Sequence, residues 1–168
     1  MFKKSLMALT LMALPFTAFA NWSAGAGYAN LSDSDDGDSI SLGVIYGSVA
    51  YEFAKEGSRF SFMPELRLGT GVSDDKLYGV KIDVKRFTAL SVRAQYNYDN
   101  GVYLYAMPSY ANLDIKTSYN GVSQSDDDWE FGFGGGVGKK INDNINIEAS
   151  YESYDGTDLL TVGFKYAF

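Results

Sequence analysis

The 168-residue chain predicts an all-β fold, an eight-stranded antiparallel up-and-down transmembrane β-barrel. Three observations carry this prediction. Apolar and polar residues alternate with a period of two through most of the sequence, as in strands with one face against an apolar phase. Short turns alternate with longer acidic stretches between those segments. The chain also ends on a strictly alternating segment whose last residue is Phe168.

At the N-terminus, Lys3 and Lys4 precede an apolar stretch from Ser5 to Phe16, and Ala18-Phe19-Ala20 closes the segment ahead of Asn21. A basic start, a short apolar middle and a small-residue exit describe a secretory signal peptide. The apolar run is shorter than the roughly 20 residues that a spanning helix needs. Residues 1–20 are therefore expected to be a signal peptide and residues 21–168 the barrel domain. Without Lys3 and Lys4 the chain has 12 basic and 21 acidic residues, a formal charge of −9. That sign excludes nucleic acid as a partner, because phosphate binding needs basic clusters. No cysteine is present to form a disulfide. Abundant Gly, Tyr and Phe with only three prolines suit many closely packed strands.

Eight strands follow, at about 22–30, 39–54, 59–72, 78–98, 102–116, 129–140, 145–154 and 159–168. Trp22–Asn30 alternates briefly. Ile40–Phe53 changes parity near Gly47, where a bulge is expected. Phe60, Phe62, Leu66 and Leu68 share one face, opposite Met63, Glu65, Arg67 and Gly69. In 78–98 the apolar face holds Val80, Ile82, Val84, Leu90, Val92, Ala94, Tyr96 and Tyr98. That segment is long for one span, so its first half is expected to project beyond the membrane. Val102–Ile115 is apolar on both faces, which leaves its lipid-facing side open. Trp129, Phe131, Phe133 and Val137 oppose Glu130, Gly132, Gly134, Gly136 and Gly138. A row of glycines marks a crowded or strongly curved face, such as the inside of a narrow barrel. Ile145, Ile147, Ala149 and Tyr151 oppose Asn146, Glu148, Ser150 and Glu152. Leu160, Val162, Phe164, Tyr166 and Phe168 oppose Thr161, Gly163, Lys165 and Ala167.

Lys55–Ser58, Asp99–Gly101 and Asn142–Asn144 read as tight hairpin turns. The other connections carry Asp33–Asp38, Ser73–Asp75, Asp126–Asp128 and Asp155–Asp158, and read as longer polar loops. Short turns at one end and longer loops at the other suit an outer-membrane barrel. Bulky residues lie on one face and small or charged residues on the other. This distribution favours a barrel in lipid over a soluble barrel or a β-sandwich. Trp22, Tyr51, Phe53, Phe60, Tyr96, Tyr98, Tyr103, Phe164, Tyr166 and Phe168 are expected to form interfacial girdles.

Trp129 to Gly138, Ile147 to Glu152 and Gly163 to Phe168 together resemble small outer-membrane barrels of the OmpX and Ail type. More generally they resemble the outer-membrane β-barrel domain of OmpA-like and porin-family proteins. The resemblance implies a bacterial outer-membrane location, with lipid and lipopolysaccharide as surroundings. It also implies that Tyr166 and Phe168 belong to a C-terminal signal read by the barrel-assembly machinery.

An eight-stranded barrel is just wide enough for side chains to fill it. Glu65, Arg67, Arg93, Glu130, Glu148, Glu152 and Lys165 are thus expected to form an ion-pair network in the lumen. The same residues could instead line a narrow pore. The chain has no histidine to serve as a general base. Gly132–Lys140 lacks the spacing and the Ser/Thr of a phosphate loop. No enzyme activity and no cofactor are expected. Asp33, Asp35, Asp36 and Asp38 offer oxygen ligands for Ca²⁺ or Mg²⁺ without the spacing of a Ca²⁺-binding EF-hand loop. Two functions remain: a closed barrel that meets a host or envelope surface ligand through acidic loops, in adhesion, colonisation or envelope protection, or a small porin-like channel.

Overall fold

The computed structural model describes residues 21–35, 38–77, 80–119 and 122–168, with backbone alone where these fall within 33–40, 74–82 and 116–127. The described residues form ten hydrogen-bonded segments: β1 (Trp22–Asp35), β2 (Asp38–Tyr51), β3 (Phe53–Ala54), β4 (Phe60–Gly71), β5 (Asp74–Leu77), β6 (Val80–Asn97), β7 (Val102–Tyr119), β8 (Val122–Lys140), β9 (Ile145–Ser153) and β10 (Thr157–Ala167). They make eight staves. β3 extends β2 past a break at Glu52, and β5 extends β4 past Val72 and Ser73. All neighbours are antiparallel. The β4–β6 pairing closes the ring that runs β4-β2-β1-β10-β9-β8-β7-β6. Among the described residues, closure leaves no sheet edge within the lipid, where an unpaired backbone polar group would cost several kcal/mol.

The turn end is built as the sequence predicts. Gly57 and Gly101 adopt φ of +75° and +80°, a region open to glycine at no steric cost. The Ser58 amide donates to the Lys55 carbonyl at 2.9 Å, and that of Gly101 donates to Tyr98 at 3.1 Å. In the third turn the Asn142 side chain accepts from the amides of Asn144 and Ile145, at 3.0 and 2.7 Å. Aromatic rings gather in edge contacts at this end: Trp22–Tyr51–Phe53, Phe60–Tyr96–Tyr98 and Tyr166–Phe168. Toward the opposite end Tyr110 stacks on Trp129 at 5.1 Å.

The loop end departs from the sequence reading. Three of the four expected loops are largely strand. β1 and β2 stay paired to Asp35↔Asp38, and β5 begins at Asp74. Asp126, Asp127 and Asp128 lie within β8, opposite Ile115, Asp114 and Leu113. The fourth connection is a tight turn around Gly156, φ +82°, with the Tyr154 amide donating to Thr157. Aspartate disfavours strands locally, but extending an existing ladder makes backbone bonds in register, and pairing overrides propensity. The wall is therefore uneven. β7 and β8 run for 18 and 19 residues, whereas β9 has 9 and β10 has 11.

Three facings also differ from expectation. β2 keeps one parity from end to end, with no bulge at Gly47: its register with β1 is continuous. Leu42, Val44, Ser48 and Ala50 are buried while Ile45, Gly47 and Val49 are exposed. The apparent switch arises because the inward residues change from apolar to small and polar partway down. In β6, by contrast, a register shift between Val84 and Arg86 reverses the facing. Val84, expected on the lipid face, is 4% exposed, and below the shift Phe87 takes the inward place. In β7, Leu104, Ala106 and Tyr110 face outward, whereas Tyr103 and Tyr105 point into the bore. Tyr103 is thus an interior residue and not part of a girdle.

Candidate functional site

The bore is filled, and its filling has two chemistries. On the turn side, Arg93 on β6 lies 2.7 Å from Glu65 of β4 and 2.8 Å from Glu148 of β9. Lys165 of β10 completes the cluster, 2.9 Å from Glu65 and 3.7 Å from Glu148. Tyr103 donates its hydroxyl to Glu148 at 3.0 Å. The Arg93 guanidinium also sits over the Tyr105 ring, 4.2 Å from its centre, a cation–π contact. Further along the bore, Arg67 makes a two-pronged pair with Glu152, both bonds 2.6 Å. Glu152 accepts as well from Ser109 and Tyr154, each at 2.8 Å.

These six residues are three acids and three bases, so the plug is formally neutral. Five of them are buried, Arg67 2% and Glu152 0% exposed, and Glu148 is partly buried. Ions held this far from water must be paired or hydrogen-bonded, and a bidentate Arg–carboxylate fork is among the stronger pairings. Strand alternation explains how six residues from four staves converge. Each stands at an inward position, and the closed register sets those positions opposite one another across the bore.

Above the Arg67–Glu152 pair the interior turns apolar. Ala29, Leu31, Leu42, Val44, Val84, Phe87, Ala89, Ala111 and Leu159 form one buried cluster. The Arg67 guanidinium meets it at the Phe87 ring, 5.8 Å away. This apolar collar is invisible to a search for charged lumen residues, although the inward apolar run of β2 was its signal. Glu130 of the expected lumen set stands beyond the collar. There it is half-buried and lines a cavity of about 130 Å³ with Leu31, Phe87, Leu113, Asp128 and Tyr154. A second cavity of about 190 Å³ opens at the turn end, among Met63, Gln95, Asn146, Glu148 and Lys165. The bore therefore reads, from the turn end, as polar vestibule, ion-pair plug, apolar collar and outer vestibule.

The glycine row of β8 is the slot that admits this filling. A Cβ at Gly138 would overlap the Tyr103 ring, one at Gly136 the Tyr105 ring, and one at Gly132 the Tyr154 ring. Gly138→Val is accordingly expected to cost about 1–3 kcal/mol, the usual range for overpacking, and the same substitution made in a Tyr103→Ala background, measured against Tyr103→Ala alone, distinctly less. Gly47→Ala is the control, since its Cβ would meet nothing closer than 3.8 Å. Urea unfolding of the reconstituted barrel checks the ordering. A Gly138→Val loss that Tyr103→Ala does not relieve would count against the slot.

The other expected sites lie elsewhere. Tyr166 and Phe168 sit at the turn-end mouth, 44% and 37% exposed, where the Phe168 amide donates to the Trp22 carbonyl at 3.0 Å. The side chains of Asp33, Asp35, Asp36 and Asp38 fall outside the described residues. Among the described residues no group of His, Cys, Asp and Glu could hold a metal ion.

Comparison with known proteins places the architecture. The structure of Ail, the attachment invasion locus protein of Yersinia pestis, in complex with the heparin analogue sucrose octasulfate, is similar at a TM-score of 0.64 and 21% identity, over 88% of this chain and 97% of that one. The N-terminal barrel domain of Pseudomonas aeruginosa OprF matches at 0.64 with 14% identity, over 89% and 99% of the two chains. Neisserial surface protein A matches at 0.60 with 14% identity, over 88% and 97%. At these identities the likeness is one of fold. No curated protein matches the chain. The family model of the outer membrane protein beta-barrel domain matches residues 5–168, nearly the whole chain, and the protein is therefore a member of that family of outer-membrane barrels.

Proposed function

We propose that this barrel is closed to solutes and works from its outer rim, as a structural and surface-interaction protein in adhesion, colonisation or envelope protection. The observation that carries the reading is the stacking of a neutral three-acid, three-base plug beneath an apolar collar. A conducting pore needs a continuous hydrated path. Here the collar residues are at most 5% exposed, and the charges below them are already paired with one another. No catalytic role is proposed.

The porin-like channel is the competing reading, and planar-bilayer recording separates the two. The expected trace shows no reproducible conductance steps from the purified, refolded protein. Steady unitary steps that scale with the amount of protein would defeat the closed-barrel reading.

The remaining expectations complete the proposal. Residues 1–20 would direct export and leave Asn21 as the first residue of the mature chain. Tyr166 and Phe168 would present the C-terminal strand to the assembly machinery, and the finished barrel would sit among outer-membrane lipid and lipopolysaccharide. The Ca²⁺ or Mg²⁺ idea at Asp33, Asp35, Asp36 and Asp38 rests on the sequence alone. Ail, a fold relative, was crystallised with a polyanion. In this chain two basic residues of upper β6 already face acids, Lys85 with Asp83 at 2.8 Å and Arg86 with Asp114 at 3.8 Å. With a chain charge of −9 after export, a basic rather than a polyanionic ligand is expected at the rim.

A further inference from the structure

The turn-end vestibule holds polar atoms that no neighbouring group satisfies. Ser23 of β1 lines this cavity and is 8% exposed. Its hydroxyl has no hydrogen-bond partner among the described residues, and neither has the side-chain oxygen of Asn146 on β9. Buried polar groups are costly when left unmet, so water or a guest molecule must meet them. The space of about 190 Å³ would take roughly six waters at about 30 Å³ each. It is equally large enough for a small organic molecule.

Charge decides between the two. The plug side of the vestibule is already spent: Lys165 lies 2.9 Å from Glu65, and Glu148 meets Arg93 at 2.8 Å and Tyr103 at 3.0 Å. Two other lining charges are not. Glu52, at the break after β2, is half-buried, and Lys140, the last residue of β8, is exposed. Neither side chain has an ion-pair partner among the described residues. The order of the ring explains why they do not pair with each other. β2 and β8 are four staves apart in either direction around the eight, so these charges face one another across the full width of the mouth.

The surroundings of the two poles suit the ends of one elongated guest. Ser23 stands opposite Ala50, which makes Glu52 its diagonal neighbour on the inward face. A hydroxyl with no partner thus lies beside a carboxylate with none. Met63 of β4 and Tyr103 of β7, both buried, give an apolar wall on the staves between the poles. Asp143, exposed in the turn after β8, is the remaining charge on the rim. Water would satisfy the hydrogen bonds but leave both charges without a counterion.

We propose that the turn-end vestibule binds a small zwitterion of the ω-amino acid class, its ammonium at Glu52 and Ser23 and its carboxylate at Lys140. The site lies at the mouth opposite the outer rim and does not rest on the surface-interaction reading.

The test uses the full mature barrel in nanodiscs and three probes that share one chain length: γ-aminobutyrate, butylamine and butyrate. The side-chain amide NMR signals of Gln95 and Asn146, both in the cavity lining, report binding. γ-Aminobutyrate is expected to shift them saturably in the millimolar range. It should bind at least roughly threefold more tightly than either half-probe, because each end adds a partly exposed ion pair. Glu52→Gln should bring γ-aminobutyrate down to the affinity of butyrate, and Lys140→Gln down to that of butylamine. Ser23→Ala should weaken γ-aminobutyrate and butylamine and leave butyrate unchanged. Glu56→Gln, at an exposed acid of the β3–β4 turn outside the cavity, should change nothing. Emission from Trp129, near the far end of the barrel, shows that each variant is folded. No saturable shift, equal affinities for the three probes, or an equal loss with Glu56→Gln would overturn the site and leave a vestibule filled by water alone.

Discussion

Glu152→Leu, with Arg67 left in place, is expected to lower the unfolding free energy of the lipid-reconstituted barrel by about 3–5 kcal/mol, the usual penalty for stranding one partner of a buried ion pair. Arg67 would keep its charge at 2% exposure and lose both of its 2.6 Å bonds. Ser109 and Tyr154 would lose an acceptor in the same step, although their mutual 2.6 Å contact remains. Removing both charges together, as Arg67→Met with Glu152→Leu, is expected to recover most of the loss, because two desolvation costs disappear along with the attraction. Urea titration followed by the fluorescence of Trp22 and Trp129 gives both numbers. If the double variant proves as unstable as the single one, packing rather than charge pairing dominates at this level of the bore.

The second large effect belongs to the outer wall. Val162 stands in the middle of β10, 52% exposed, beside Tyr28 and Ala149. Val162→Arg is expected to cost about 2–4 kcal/mol, as for a cation on the lipid face near the bilayer midplane. Ile141→Arg is the comparison. That residue is 56% exposed at the turn end, next to Asn142, where the penalty falls to about 0–1 kcal/mol. The depth dependence is the informative part, because a soluble barrel with a wet outer face would show no such difference. Equal costs at the two positions would contradict a lipid-facing wall.

Most of the fold was legible in the residues. Strict alternation in Leu160–Phe168 and Trp129–Val137 identifies both the strand and its lipid face, because a period-two pattern admits one assignment of faces. The tight turns carry their own chemistry in Gly57, Gly101 and Asn142. The interior residues were legible for the same reason: Glu65, Arg67, Arg93, Glu148, Glu152 and Lys165 stand at polar positions between apolar neighbours. What the alternation could not supply was partnership. Arg67 with Glu152 spans 85 residues of sequence and Arg93 with Glu148 spans 55. Nothing local joins them. Glu130 had the same local signature and lies beyond the collar, because the height of a residue along the bore depends on the stagger between strands.

Where polarity and facing diverge, the sequence reading fails for a physical reason. Ile40–Phe53 reads as a change of parity and Tyr103 looks interfacial, yet Leu42, Val44 and Tyr103 all fill the bore. An interior that is apolar at one level and charged at another breaks the equation of apolar with outward. The bulge between Val84 and Arg86 does the same to β6. The aspartate runs read as loops because aspartate opposes strand locally, while the ladder they extend is set by a neighbour far away in the chain.

The sequence by itself determined the class of fold, the sign of the surface charge and the identity of the interior charges, because each follows from local alternation and composition. Only the closed register decided which acid meets which base, where the bore turns apolar, and that the upper edge of β8 outruns its neighbour. Those depend on the stagger of eight staves around a ring, a long-range quantity that no local pattern encodes.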